Sequence, residues 1–334
     1  MMKRILVLLF TILVLFVSCN TKSNDNEKSS DKTKKIVVTI FPIYDFTKNI
    51  IGDNLDLQMI IKPGIEIHSF NATPANIIDI QNADVFIYIG GESEAWAEKI
   101  VESMDTNGKK IVKLIDYVKA LDEEIVEGME HDEDHNHEDE LNHQEHDDND
   151  INEAHTHEGI YDEHIWTSPK NAQLMVNAIC KSISEVDTNN ANFYKENASK
   201  YNKELEVLDN EIREAVNSSK RKNIVFGDRF PFRYLANEYG LEYRAPFTGC
   251  SSQVDASPKT IAYLINYIKD NNIPYLYYIE LSNEKIANTL IEQTGVSKLK
   301  LHSGQNVSKE EFNSGISYLS IMKDNLENLK KGLN

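Results

Sequence analysis

Residues 189–216 read NNANFYKENASKYNKELEVLDNEIREAV. Tyr194, Tyr201, Leu205, Leu208 and Ile212 recur there at spacings of seven, four, three and four. They fall on one stripe of a helix, with polar and charged residues filling the rest of its surface. A helix of this length is about 42 Å long at 1.5 Å per residue. It can run the height of a domain and join two.

What flanks it has one texture on both sides. Upstream, the apolar runs 36–40, 57–61, 85–89 and 111–115 read as buried strands, with helical patterns at 45–51, 74–81 and 169–183. Ser168 followed by Pro169 is a helix-start signal for the last of these. Downstream, 223–226, 241–243, 275–279 and 298–301 read as strands, with helices at 258–271, 284–293 and 309–329. Short apolar runs alternating with helices argue for parallel sheets flanked by helices. The fold class is α/β, in two lobes, each with a parallel sheet, joined by a long connecting helix. The lobes are expected at 36–188 and 218–334, and the linking helix at 189–217. A chain of 334 residues suits two domains.

The first residues read as an address. Lys3-Arg4 precedes an apolar run, 5–17, and then Ser18-Cys19. The run is too short for a membrane span and fits an export signal, residues 1–18. In the lipoprotein form of such a signal Cys19 is lipidated. That places the chain outside the cytoplasm, anchored to the bacterial cell membrane. Residues 19–35, polar and charged, read as a flexible tether.

The formal net charge is −19, which excludes a nucleic-acid binder relying on a basic face. Loss of Lys3 and Arg4 with the signal takes it to −21. Residues 121–158 carry −17 of that, with seventeen acids, seven histidines and no lysine or arginine. Such a stretch cannot bury a core and is expected to be a disordered loop late in the first lobe. Its histidines, His131, His135, His137, His143, His146, His155 and His157, are auxiliary metal-binding candidates for capture, delivery or sensing. A solvated acidic insertion with no role in metal binding is the alternative. Cys180 and Cys250 form a disulfide or remain two buried thiols; sequence leaves both open.

Three histidines lie outside the loop. His68 and His302 fall after predicted strands, and Asp228 stands in the corresponding place after 223–226. Ligands of open α/β sheets bind beyond the carboxyl ends of strands. His164 lies between the loop and Ser168-Pro169.

The segments Pro63-Gly64-Ile65-Glu66-Ile67-His68-Ser69-Phe70-Asn71-Ala72-Thr73-Pro74 and Asp162-Glu163-His164-Ile165-Trp166-Thr167-Ser168-Pro169 resemble the first two ligand segments of the metal-binding lipoproteins of ABC-type zinc and manganese importers. Residues 249–258 and 292–295 resemble two further family segments, and the likeness covers about 36–330. The acidic histidine loop is similar to that of the zinc-type members. The chain also departs from the pattern. Ile67 and Glu163 replace the usual prolines, Asp228 stands where a third histidine is usual, and His302 where an aspartate is usual.

The resemblance implies a site of His68, His164, Asp228 and His302, a swapped set that keeps three imidazoles and one carboxylate. Such a set suits tetrahedral Zn²⁺ better than Mn²⁺, which favours more carboxylates. Glu66, Glu163 and Glu280 are candidates to orient imidazole N–H groups, and Glu280 is an alternative to Asp228 as ligand. In another alternative Asp228 pairs with Arg229 or Arg233 and the metal has three protein ligands plus water. The implied function is high-affinity zinc capture between two lobes and delivery to an ABC permease, by a monomer that is not an enzyme. A manganese-binding subunit and a metal-binding surface adhesin are the alternatives. A zinc hydrolase has little support: His157-Glu158 begins an H-E-x-x-H pattern, but Tyr161 stands at the second histidine.

Overall fold

The computed structural model describes residues 33–130, 161–251, 253 and 255–334. The export signal, Cys19, nearly all of the tether and the seven loop histidines lie outside the described residues. From Lys34 onward the chain forms one unit.

The first half opens with β1 (Lys35–Val38), α1 (Phe41–Ile51), β2 (Asp56–Met59), α2 (Pro74–Gln81), β3 (Val85–Tyr88), α3 (Ala95–Ser103) and β4 (Lys110–Lys113). Its four strands make a parallel sheet in the order β2-β1-β3-β4, with Ile36 opposite Leu57 on one side and Val85 on the other. α4 (Pro169–Val186) follows, and Ser168 caps it by accepting from the Asn171 N–H. Then comes α5 (Ala191–Ser218), the 28-residue helix, which buries Tyr194, Ala198, Tyr201, Leu205, Leu208, Ile212 and Val216.

The second half contains β5 (Asn223–Val225), β6 (Arg229–Phe230), α6 (Arg233–Tyr239), β7 (Glu242–Arg244), β8 (Phe247–Thr248), α7 (Pro258–Asp270), β9 (Tyr275–Tyr278), α8 (Lys285–Thr294) and β10 (Ser297–Lys300). β5 pairs in parallel with β7, and β9 with β10. A single parallel bridge between Phe226 and Tyr277 joins the two pairs. The resulting order, β7-β5-β9-β10, repeats that of the first half. In both halves the chain switches direction between the first and third strands, the place where open α/β sheets hold ligands. The short parallel pair β6–β8 packs beside it.

The region read as one helix at 309–329 is two, α9 (Lys309–Asn313) and α10 (Tyr318–Gly332). Gly315, in the left-handed region at φ 79°, ends one, and Ser317 caps the next by accepting from the Ser320 N–H. The start of the acidic stretch also differs from expectation. Residues 121–130 are packed against the second half rather than being part of a free loop. The Glu130 N–H donates to the Pro246 carbonyl (2.9 Å), and its Oε1 accepts from the Ser257 N–H (2.5 Å). Met129 is buried.

One apolar core runs through both halves, from Ile36 to Leu333; a smaller one lies under α7 and α8. Asp45 of α1 sits in the larger. It accepts from the Tyr201 hydroxyl of α5 (2.9 Å) and from the Tyr318 N–H at the start of α10 (3.2 Å). Burial pushes its carboxyl up to about 6. Cys180 is buried and Cys250 half-buried; both are free thiols.

Candidate metal centre

His68 lies on the loop between β2 and α2. The second half holds the start of this loop: the Gly64 N–H donates to the Val307 carbonyl (2.8 Å), and Asn306 Nδ2 donates to the carbonyls of Lys62 (3.1 Å) and Ile65 (2.7 Å). At its end Thr73 and Asn76 form a capping box on α2. His68 itself is buried at its side chain. Its Nδ1 lies 2.8 Å from Glu66 Oε1, which also accepts the His68 backbone N–H (3.3 Å).

His164 repeats this arrangement. Its Nδ1 is 3.1 Å from Asp162 Oδ1, and the same oxygen accepts its backbone N–H (2.8 Å). Each ring thus has a carboxylate two residues upstream that accepts a hydrogen bond from Nδ1–H. The tautomer assigned this way leaves Nε2 as a lone pair. Both Nε2 atoms are buried without a hydrogen-bond partner. A buried polar atom left so is costly unless something binds it. The two ring centroids are 6.1 Å apart. The next loop packs on His164 through Gly249, where a Cβ would come within 2.9 Å of His164 Cε1.

The two imidazoles differ electrostatically. Burial pulls the His68 pKa down, helped by the nearby Arg229 and against the Glu66 hydrogen bond. Burial also acts to lower His164, but Asp162, with Glu163 and Glu123, outweighs it and raises the pKa. The Glu66 carboxyl is held down at about 2, chiefly by its bond to His68.

The second half supplies carboxylates at its switch point. Asp228 follows β5; its Oδ1 accepts the Arg229 N–H (2.9 Å) and its Oδ2 accepts from the Ser282 hydroxyl. Burial raises its pKa, and Glu280 adds to the rise. Glu280 follows β9 and accepts from the Ser303 N–H (2.7 Å) and the Ser303 hydroxyl. Asp228 has no ion pair with Arg233, which pairs with Glu124 (3.2 Å). The Arg229 guanidinium turns the other way, to Glu66 Oε2 (3.3 Å), His68 Nδ1 (3.1 Å) and the Ser251 carbonyl (3.2 Å).

His302 departs from the sequence reading. Its backbone is clamped by Asn325 (2.8 and 2.7 Å). Its Nδ1 accepts the Gly304 N–H (3.0 Å) and lies 3.3 Å from Glu280 Oε2. That bond places the proton of the neutral ring on Nε2, which faces Glu311 at 3.9 Å and has no hydrogen-bond partner. The geometry is that of a neighbour of Glu280 rather than a ready metal donor. Glu163 also departs: its Oε2 accepts the Ser93 N–H (3.1 Å), and Asp162 orients His164 instead. The structure therefore brings His68 and His164 together and sets Glu280 beside His302. Among the described residues, no three His, Cys, Asp or Glu side chains stand close enough to hold a metal ion as placed. Sequence reasoning missed Asp162 and Arg229. The first had a signal, an acid two residues before a histidine, shared with Glu66-Ile67-His68.

Residues 36–332 match the family model described as ZnuA, zinc-uptake complex component A periplasmic. The chain belongs to the ZnuA family. It is 32% identical over 329 residues to the high-affinity zinc uptake system protein ZnuA of Bacillus subtilis, covering 97% of each chain. It is also 32% identical over 333 residues to the zinc-binding lipoprotein AdcA of Streptococcus pneumoniae, covering 99% of this chain and 61% of AdcA. The chain thus spans about three-fifths of the AdcA relatives it matches. Among solved structures, the Zn(II)-bound ZnuA-like domain of S. pneumoniae AdcA superposes with a TM-score of 0.71 at 28% identity, over 90% of this chain and 99% of that one. The metal-dependent lipoprotein YcdH of B. subtilis gives 0.73 at 29%, over 90% and 100%. The laminin-binding protein Lmb of Streptococcus agalactiae shares the fold (0.72, 22% identity). The two-lobed α/β architecture is that of ZnuA-like proteins, a family of transport components.

Proposed function

We propose that this chain is the extracytoplasmic metal-capturing component of an ABC-type importer, and that Zn²⁺ is its transported substrate. One observation carries the reading: two buried imidazoles face each other, each with Nδ1 committed to a carboxylate and Nε2 unpartnered. Zinc-site histidines have this arrangement, in which the outer carboxylate fixes ring and tautomer. His68 and His164 are the first-half ligands. Asp228 and Glu280, which follow the two strands flanking the second switch point, complete the set. Ser303, next to His302, holds Glu280 through its N–H and hydroxyl. Two carboxylates neutralise a dication, and because the four ligands come from both halves the bound ion pins the halves together. A permease partner can then distinguish loaded from empty protein. The same reading has lobes at 36–188 and 218–334, Cys19 as a lipid anchor to the membrane, a monomeric chain and no enzymatic activity.

Asp228 and Glu280 are engaged by serine hydroxyls here, so capture involves exchanging those bonds for the metal. The second carboxylate also moves the donor set toward what Mn²⁺ accepts. A competitive titration of the purified chain with zinc and with manganese is therefore the test. One tight zinc site per chain, with manganese much weaker, is the expected result. Manganese bound as tightly as zinc assigns the importer to manganese. Loss of tight binding when 131–160 is replaced by a short linker moves the receptor to the histidine loop.

A further inference from the structure

Arg229 stands in the second half, at the start of β6, yet its guanidinium reaches the first-half ligand segment. Nη2 contacts Glu66 Oε2 (3.3 Å), and Nη1 lies 3.1 Å from His68 Nδ1 and 3.2 Å from the Ser251 carbonyl. Its side chain is largely buried, at 18% exposure. Two of these partners, Glu66 and the Ser251 carbonyl, lie on separate segments and are spanned by one planar fork, a task that suits arginine and not lysine. The histidine Nδ1 cannot both donate to Glu66 and accept from Arg229. The carboxylate is the nearer (2.8 Å), so Nδ1–H donates to it and the guanidinium braces the carboxylate.

We infer that Arg229 is a positioning residue: it ties the Glu66–His68 segment to the second half before metal arrives, so that the first ligand is set in place and in the right tautomer in the empty protein. The inference rests on the function proposed above. The charges are compatible with it. Asp228 and Glu280 balance the dication, and Arg229 balances Glu66, so Glu66 can orient the ring without adding net charge. Val307 and Asn306 fasten residues 62–65; Arg229 extends the fastening to 66–68. A site whose ligands are already placed loses less freedom on binding, which appears as affinity.

A purely electrostatic role gives the opposite sign. A guanidinium beside the site repels a dication, so its removal would tighten zinc. Arg229→Met in the full chain is expected instead to weaken zinc tenfold or more in competition with a chelator. It is also expected to raise amide hydrogen exchange at 65–70 of the metal-free protein by at least tenfold, with the melting temperature nearly unchanged. Arg229→Lys keeps the charge but cannot span Glu66 and the Ser251 carbonyl, and is expected to weaken zinc at least threefold. In a Glu66→Gln background, Arg229→Met should cost less than twofold further, since its effect runs through Glu66. Unchanged or tighter zinc in Arg229→Met, full rescue by Arg229→Lys, or unchanged exchange at 65–70 each overturns the inference. A wild-type chain that binds no zinc defeats the proposed function instead; the exchange measurement on metal-free protein still decides whether Arg229 is the tie.

Discussion

A carboxylate two residues before a histidine can accept both that histidine's backbone N–H and its ring Nδ1–H, and the first half uses this device twice. Glu66 serves His68 and Asp162 serves His164. Asp162→Asn keeps the shape but can present an N–H to Nδ1, which releases the tautomer. Zinc affinity is expected to fall about 10–100-fold, the usual cost of losing such a partner. The two rings also predispose the site to acid. Burial keeps His68 neutral to lower pH, whereas Asp162 favours the protonated form of His164. Since only neutral imidazole ligates, protons compete first at His164. Zinc affinity measured between pH 8.5 and 5.5 is expected to start falling above pH 6.5, with one proton displaced per zinc on that limb. A flat profile to below pH 6 would remove His164 from the site. In the metal-free protein the sign is reversed. The raised His164 pKa contributes stability that is present below 6.5 and lost as pH rises through its folded value. A further series separates the second-half residues. Asp228→Ala and Glu280→Ala are each expected to weaken zinc by at least 100-fold, and His302→Ala by much less. Equal losses at His302 and Asp228, with Glu280→Ala nearly silent, would restore the swapped set implied by the sequence.

At the scale of elements, Asp45 marks where α1, α5 and α10 meet. Its pKa is raised from 3.8 to about 6 by burial, so folding takes up a proton there, and stability falls as pH rises from 3.8 through about 6, the loss being complete above it. An asparagine at this position would accept the same Tyr201 and Tyr318 bonds without a charge. Asp45→Asn is therefore expected to stabilise the protein at pH 8 by up to about 3 kcal/mol, from roughly 1.4 kcal/mol per pKa unit, and to do nearly nothing at pH 4. Thermal melts at the two pH values read this directly. Elements of this kind differ in how plainly the sequence announces them. The α5 stripe and the apolar strand cores were legible because periodicity and burial coincide in them, residue for residue. The break at 314–317 was not, because Tyr318, Ile321, Met322 and Leu326 keep helical spacing beyond Gly315; only a turn glycine and a serine cap interrupt it. β6 and β8 are two residues each, too short for any pattern. Of the proposed site, His68, His164 and Asp228 are legible from their places after strands or beside the loop, whereas Glu280 enters the sequence reading only as an orienting carboxylate or as a replacement for Asp228. The part of Arg229 could not, since its partner Glu66 lies 163 residues away and the contact exists only in the fold.

At the scale of the whole molecule, the first ten residues of the acidic stretch form a docked stem. Residues 121–130 reach the second half through four glutamates. Glu123 accepts the Cys250 N–H (3.2 Å), Glu124 meets Arg233 (3.2 Å) and the Tyr243 hydroxyl (3.0 Å), Glu127 the Tyr263 hydroxyl (3.2 Å), and Glu130 the Ser257 N–H (2.5 Å). The stem also holds the segment that carries His164. Asp122 bridges to Tyr161, the Asp162 N–H donates to the Leu121 carbonyl (2.9 Å), and the Tyr234 hydroxyl accepts from the Leu121 N–H and donates to the Asp162 carbonyl. Of the acids behind the −17 charge read as a property of one disordered loop, Glu124 is thus paired with a cation, Arg233, and Glu123, Glu127 and Glu130 accept from neutral hydroxyl and amide donors of the second half. Two replacements by a Gly-Ser linker of about ten residues distinguish stem from loop. Replacing 131–160 leaves the docked contacts intact, and tight zinc affinity is expected to stay within about threefold, as for a site built from surviving ligands. Replacing 121–160 also removes the bridge partner of Tyr161 and every stem contact, while keeping His164 itself. Hydrogen bonds to charged groups are worth about 1.5–3 kcal/mol each, but these are half-exposed, so a net loss of about 2–3 kcal/mol is expected, or roughly 3–5 °C in melting temperature. Zinc binding should weaken with it, because His164 is then no longer braced against the second half. Equal behaviour of the two replacements would show that the stem is ornament to the site and that Trp166, whose indole N–H donates to the Ser303 carbonyl (2.9 Å), suffices to hold His164 between the halves.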